Sequence, residues 1–504
     1  MVAGAGAAGT VAEMIEELGA AVEGVCTGWR GRADDALRAT LGHVLPGMVR
    51  GLVAGVAAEA EALRHGDGRA VSMAAQRAVQ PAGAAFIEGA WQLQGHAEPL
   101  PPDQRPCCAS CGRRMKLVRA DQPRCLIGRC GPYALHRPYY TCDVCGGGYS
   151  PGDAAWALGS RAIDPDLQAL VARDGVDRAF DAAALGAVGA HLQVRIDDNT
   201  VHRTTVGIGL VALGQIEARA AGGTCRLGPD PGSDTVLLEV DGGRVEAGRE
   251  WREAKVAVAG PLGPELDVDK ETGREHLRCG PLRYTADIAD ADQFFARQVR
   301  QLAEDAGLYH PRVTRIVLLG DGGEWIENRW ASLDLPERVE VFDILDVRHF
   351  QEHVWDAAKA CWGQNSPRTR TWARQQVDAV LEHGPKPLLE TLSHLRPRRA
   401  EGREAMRRLK AYITGNAHRL RYPEFIAAKL PIGSGAIEAG VRIVNNERLK
   451  NCCMHWSVAG ARAVLTLRAL ALSAGQSWDT FWATRPQLTL PPVRELASLR
   501  RKVA

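Results

Sequence analysis

At 504 residues the chain is too long for one hydrophobic core, so two to four domains are expected. Its 45% hydrophobic and 24% charged residues are those of an ordinary soluble globular protein, and 62 basic against 60 acidic side chains exclude naming a partner from bulk charge. No uninterrupted apolar stretch of membrane-spanning length is read, and the opening MVAGAGAAGT has no basic leader, so a cytoplasmic protein without a membrane partner is expected.

Residues 11 to about 95 read as helical. Val11, Met14, Ile15, Leu18 and Val22 recur at helical spacing, and Pro46, Gly66-Asp67-Gly68 and Pro81 punctuate the segment. A proline-rich linker at 97–106 leads to a bunch of cysteines between 107 and 145. In a reducing compartment that bunching points to metal rather than disulfides. Cys108 and Cys111 form one knuckle-like pair and Cys142 and Cys145 another, with 30 residues between Cys111 and Cys142. Two such pairs complete a closed tetrahedral site for structural Zn²⁺, which leaves no open position for catalysis. The separation is longer than usual, though YALHRPYYTC reads as a strand running into the second pair, as in a zinc ribbon. Buried cysteines without metal are the alternative; Cys107, Cys125 and Cys130 are spare thiols.

Residues 164 to 213 read as two or three short helices, with Asp164-Pro165 starting one and DDNT (197–200) capping the next. TVHRTTVGIG (200–209) would be the recognition-like helix of a helix-turn-helix, with His202 and Arg203 exposed to DNA; an ordinary helical pair is the alternative. From 235 short apolar strands appear in TVLLEVDGGRVEAG, RVTRIVLLGDGG and RVEVFDILDVRHF, with the amphipathic helix DADQFFARQVRQLAEDAG between the first two. Residues 350 to about 430 are helical and arginine-rich, and GSGAIEAGVRIVNNERLK (433–450) opens a further helix before the closing AGARAVLTLRALAL.

Asp241 and Asp321 each stand at or near the end of an apolar strand and are followed by two glycines. On neighbouring strands their carboxylates would converge, and hard oxygen ligands suit Mg²⁺ (or Mn²⁺) together with a substrate's phosphate oxygens. Two such ions assist phosphoryl displacement. Taken alone, Asp-Gly after a strand is more often a turn. Glu438, after a Gly-Ser-Gly lead-in, shares a helical face with Arg442 and Asn445, and Arg448 and Lys450 follow a turn later. Acid then base along one helix suits metal at one end and phosphate along the rest; the alternative is an exposed ion pair. The arginine-rich 396–410 stretch, including Arg398 and Arg399, would neutralise phosphates or simply face solvent. Trp251, Trp325 and Trp456 read as core anchors.

The ordered series VDGGR, GDGGEWI, DVRHF and GSGAIEAGVR…ERLK…HWS resembles the ISKra-type family of bacterial insertion-sequence DDE transposases, more distantly the Mutator-like group. RPYYTCDVCGGGYSP, EWREAKVAVAG, RYTADIADADQFF and WDTFW extend the likeness from the cysteine pairs to about Trp482, roughly three-quarters of the chain. The first hundred residues carry no such match. The resemblance implies an RNase H-like catalytic core with a helical insertion, and divalent-metal cleavage and transfer of DNA strands. Carried over, its acidic triad is Asp241, Asp321 and Glu438, and Asp346 and His349 match its Asp-x-x-His element, with His349 in a supporting role.

The expected organisation is multidomain α/β. It comprises a helical N-terminal region (1–96), a zinc ribbon (97–155) and a helical DNA-binding region (156–230). A first part of the catalytic core (231–350), a helical insertion (351–430) and core helices bearing the third acid (431–504) complete it. The function so implied is transposition of double-stranded DNA at terminal inverted repeats, by a homo-oligomer on DNA in the bacterial cytoplasm, nucleoid-associated when bound. An inactive, element-derived DNA-binding protein is the first rival. An RNA-guided nuclease is the second, disfavoured because the cysteine pairs precede every candidate carboxylate.

Overall fold

The computed structural model describes residues 35–159, 162–223, 227–269, 273–450, 454–475 and 477–484, with scattered positions between 13 and 24. Val11, Met14 and Ile15 of the helical reading, and 485–504 of the C-terminal region, lie outside the described residues. The chain divides into two compact units, and the division falls between Ile208 and Gly209.

In the first unit α1 (Asp35–Ala58) and α2 (Gly68–Leu93) form a helical pair. Small residues permit the close contact: a Cβ on Gly55 would fall 2.0 Å from the Ala78 carbonyl oxygen. Pro46 and Pro81 lie inside α1 and α2 rather than ending them. A proline costs an interior helix about 3 kcal/mol, so tertiary packing sets these helices against local propensity. The glycine-rich break at 66–68 does separate helices, and the Asp67 carboxylate accepts the Ala70 N–H at 2.8 Å. Ala39–Ala58 has the length and hydropathy of a membrane span, because Ala, Gly, Val and Leu surround a single charged residue, Arg50. Arg50 interrupts it, so it is not an uninterrupted apolar stretch.

The cysteine region is built on β1 (Lys116–Gly128) and β2 (Gly131–Thr141), a long antiparallel hairpin to which β3 (Gly148–Tyr149) adds. Beyond it come α3 (Pro165–Asp177) and α4 (Asp198–Ala221). Asp164 caps α3 through the Leu167 N–H at 2.7 Å, and Asp197 accepts the Thr200 N–H at 2.8 Å, as the sequence suggested.

The second unit is a mixed sheet between two helical layers. Its strands are β4 (Thr235–Ala247), β5 (Glu250–Val268), β6 (Glu275–Cys279), β7 (Arg283–Asp287), β8 (Arg315–Gly320) and β9 (Glu340–Leu345). The order is β6-β5-β4-β8-β9, with β7 also paired to β5. Pairs involving β5 are antiparallel, whereas β4, β8 and β9 run parallel to one another. Two-residue periodicity sorts the strands between two cores. Val236, Leu238, Val240, Ile316 and Leu318 pack with the helix over 291–305 (α5), including Phe294, Phe295 and Leu302. Leu237, Val317, Leu319 and Ile344 face α6 (Val347–Trp362), α7 (Pro367–His383), α8 (Lys386–His394), α9 (Ala400–Gly415) and α10 (Tyr422–Ala427). Each fully buried Leu, Val or Phe in these cores contributes roughly 1.5–3 kcal/mol. The 351–430 segment is therefore helical as expected and covers one face of the sheet. α11 (Gly435–Gly440), a π-helical run Val441–Lys450, α12 (Val458–Leu472) and α13 (Ser477–Ala483) complete the unit.

Candidate metal centres

Asp241 does not end its strand, because β4 runs on to Ala247. What ends nearby is the parallel pairing. Glu239 opposite Leu319 is its last pair, so Asp241 and Asp321, each two residues further, occupy equivalent positions where β4 and β8 part. The glycines after Asp241 give room for neighbours within the strand: a Cβ on Gly242 would fall 2.6 Å from Glu253 Oε1, and one on Gly243 2.5 Å from Asn445 Nδ2. Asp321 follows β8 directly and accepts the Gly323 N–H at 2.8 Å, so it also makes the turn that Asp-Gly-Gly suggests. Gly322 at φ +88° is required there, since a Cβ would come 2.8 Å from Leu345.

Burial pushes the Asp241 carboxyl up to about 6, and the charges of Asp321 and Asp346 add to this, against the Gly242 N–H and the positive field of His349. Two residues back on the same strand face, Glu239 is 1% exposed. Burial pushes its carboxyl up to about 8; Asp346, Glu438 and Asp241 reinforce the rise and the Ile437 N–H opposes it. Glu239 thus lies in the fields of Asp241, Asp346 and Glu438, and Asp241 in those of Asp321 and Asp346. Glu239 escaped the sequence reading, although its spacing from Asp241 places both on one face of β4.

Asp346 is fully buried and caps α6, accepting the Arg348 and His349 amides at 3.4 and 3.3 Å. His349 is half-exposed, with Nδ1 3.6 Å from Glu352 and Nε2 3.9 Å from Asp346. Glu438, in α11, accepts Arg348 Nη1 at 2.9 and 3.2 Å and the Ser434 hydroxyl at 3.3 Å. Beneath the strand ends the fully buried Arg419 donates to Asp343 Oδ1 at 2.8 Å and also binds Glu327. No local pattern in NAHRLR marks that arginine as a core residue.

The expected alignment of Glu438, Arg442 and Asn445 on one helical face fails because Val441–Lys450 is π-helical. With i to i+5 bonding, Arg442 meets Glu447 at 2.6 Å, while Asn445 turns inward and donates to the Arg244 carbonyl at 3.3 Å. Arg448 is 1% exposed, 5.0 Å over the Trp456 ring, and donates to Met454 Sδ at 3.3 Å. It is a core side chain, not a phosphate contact. Arg398, Arg399, Arg442 and Lys450 are exposed.

The short recognition helix at 200–209 is instead part of the continuous 24-residue α4, whose 204–209 stretch is buried. His202 is half-buried edge-on to Phe180, and Arg203 folds back to the Asn199 carbonyl at 3.2 Å. Alternating β-branched and small residues there read as a short exposed helix, whereas the stretch is the buried middle of a longer one. Trp456 is buried as expected and Trp325 packs against the core, but Trp251 is 56% exposed.

The four cysteines form a tight group. The sulfurs of Cys108, Cys111, Cys142 and Cys145 all lie within 4.8 Å of one another, which is compatible with structural zinc. The 30 intervening residues become the β1–β2 hairpin, whose return brings Cys142 Sγ to 3.6 Å from Cys111 Sγ. Backbone N–H groups of Ser110 and Cys111 pull the Cys108 thiol down to about 7, while Cys111 and burial push Cys145 up to about 12. One easily formed thiolate among reluctant neighbours is what four crowded sulfurs do without a cation between them. Among the described residues these four cysteines are the group of donors close enough together to share one ion; the carboxylates at the sheet end are not so grouped. No protein-family model matches the chain, and no curated protein matches it.

Proposed function

We propose that the chain is a DDE-type DNA transposase, cleaving and joining DNA at the terminal inverted repeats of an insertion sequence. One observation supports this reading: Asp241 and Asp321, 80 residues apart in sequence, occupy equivalent positions where the parallel strands β4 and β8 part, and Glu438, 117 residues further on, lies in the field of Glu239, two residues from Asp241. A sheet of antiparallel β7-β5-β4 continued by parallel β8 and β9 supports the RNase H-like core that the sequence resemblance implies. Asp241, Asp321 and Glu438 would hold Mg²⁺ or Mn²⁺, which when bound supplies activation of the attacking oxygen and neutralises the leaving one. Around that centre the protein's own groups position the substrate. Arg348 would exchange its carboxylate partner for a DNA phosphate, and His349 would fix the orientation of Asp241. Arg398 and Arg399 would hold the backbone of double-stranded DNA without reading its sequence. Zn²⁺ on the four cysteines would fix the hairpin. Paired-end chemistry calls for a homo-oligomer on DNA.

A catalytically inactive, element-derived DNA-binding protein is the second reading. It is favoured by the Glu438–Arg348 ion pair, which occupies the third acid with an internal cation. Incubation with Mg²⁺ or Mn²⁺ and DNA carrying the chain's own flanking sequences separates the two. The first reading predicts cuts at the element ends by wild type and none by Asp321→Asn. Binding to those ends with no cutting by wild type would instead support the second.

A further inference from the structure

Glu438 lies in the first turns of a helix that runs from Gly435–Gly440 directly into the π-helical Val441–Lys450, so the position of its carboxylate depends on how the start of that helix is held. Its first residue is preceded by Ser434, the type of residue that ordinarily caps a helix, yet the Ser434 side chain makes no capping bond. The hydroxyl instead donates to Glu438 Oε1 at 3.3 Å. The amides at this helix start are taken by two carboxyls from distant strands. Glu239 Oε2 accepts the Ile437 N–H at 2.6 Å, and Asp346 Oδ1 accepts the Ser434 N–H at 3.0 Å. Glu239 lies within β4 and Asp346 follows β9, the two strands that flank β8 and therefore Asp321. Both are buried, at 1% and 0% exposure.

We propose that Glu239 is a positioning residue which, with Asp346 as counterpart, clasps the 434–437 turn and sets Glu438 against Asp241 and Asp321. The inference rests on the reading of those three acids as a metal centre. The chemistry favours a clasp over a plain core contact. A carboxyl in a dry core is costly, and an apolar side chain would fill the same space at less expense. The oxygen is kept where it meets the amide of the residue next to Glu438. It binds no substrate; it couples the strand carrying the first acid to the helix carrying the third.

The test compares Glu239→Gln, which keeps an acceptor oxygen for the Ile437 amide, with Glu239→Leu, which removes it. Mn²⁺ affinity is read by electron paramagnetic resonance and cleavage on DNA in parallel. The clasp predicts affinity within about threefold of wild type for Gln, and a loss of about tenfold or more for Leu, the range seen when groups behind metal ligands are removed. Equal binding by Leu and wild type overturns it. So does a Gln variant as deficient as Asp241→Asn, which would make Glu239 a ligand itself. Should the Leu variant not fold, hydrogen exchange of the Ile437 amide in wild type decides. Slow exchange is expected, and exchange at the rate of an exposed amide overturns the clasp. If wild type binds no Mn²⁺ at all, the metal reading fails, and the exchange rate still judges the clasp by itself.

Discussion

The cysteine group and the carboxylate group differ in how closely they bring like side chains together. The thiols converge within 4.8 Å where the hairpin brings the two pairs together, while its Leu126, Tyr133 and Leu135 pack with Ala84 and Trp91. The carboxyls stop short of such convergence, and one of them is tied to Arg348. Thiols are largely neutral until a metal arrives, so crowding them costs little. Carboxylates are charged at neutral pH, and crowding them in a partly dry site costs several kcal/mol unless one keeps a proton or finds a cation. Four thiols can thus be brought together by folding alone, whereas the acids at the end of β4 and β8 are accommodated by burial, protonation and an internal arginine.

Breaking the closed site should have the largest effect. Cys142→Ser should release zinc, measured by elemental analysis, and lower the melting temperature of the first unit by roughly 10 °C. Breaking the open site should do the reverse: Asp321→Asn and Asp241→Asn should each cut DNA cleavage by at least about a hundredfold, with the metal-free melting temperature unchanged or slightly raised as one repelling charge is lost.

The two sites should also part in their response to pH. Glu239 and Asp241 bind their protons more tightly folded, at about 8 and about 6, than at their ordinary values of 4.5 and 3.8. The folded state therefore carries more protons between about pH 4 and 8, and stability present below that window is lost as pH rises through it. Melting curves without metal should show a decline on the order of a few kcal/mol from pH 5 to 8, reduced in Glu239→Gln and offset by Mn²⁺. Arg398→Ala with Arg399→Ala should weaken binding to all DNA sequences and lower the salt slope by about 2. The smallest effect expected is from Arg348→Gln, which should tighten Mn²⁺ binding a few-fold, since the pair it breaks is half-exposed.

Much of this arrangement was legible in the sequence, and the failures have physical causes. The knuckle spacing named the four cysteines, and apolar runs named β4, β8 and β9 and so the two aspartates at their junction. The hairpin that excuses the long separation between the cysteine pairs was only half visible, since β1, with LVRADQPRCLIG, alternates poorly. A 3.6-residue repeat puts Asn445 on one face with Glu438 and Arg442, with Arg448 a turn further on, whereas the π-helix turns Asn445 inward and buries Arg448 over Trp456. Asp346 was visible through its motif. Glu239 sat one strand repeat from Asp241 and was hidden only because a lone acid in an apolar run reads as an interruption. Arg419 had no local signal at all, since its partners Asp343 and Glu327 come from separate elements.

The most direct measurement is a metal inventory of one purified preparation: zinc retained after dialysis, then Mn²⁺ titrated by electron paramagnetic resonance into wild type and Asp321→Asn. One zinc held in both proteins, and exchangeable Mn²⁺ binding that the substitution abolishes, are the expected results. Mn²⁺ binding that is undiminished in Asp321→Asn would contradict them and move the functional centre away from the end of β4 and β8.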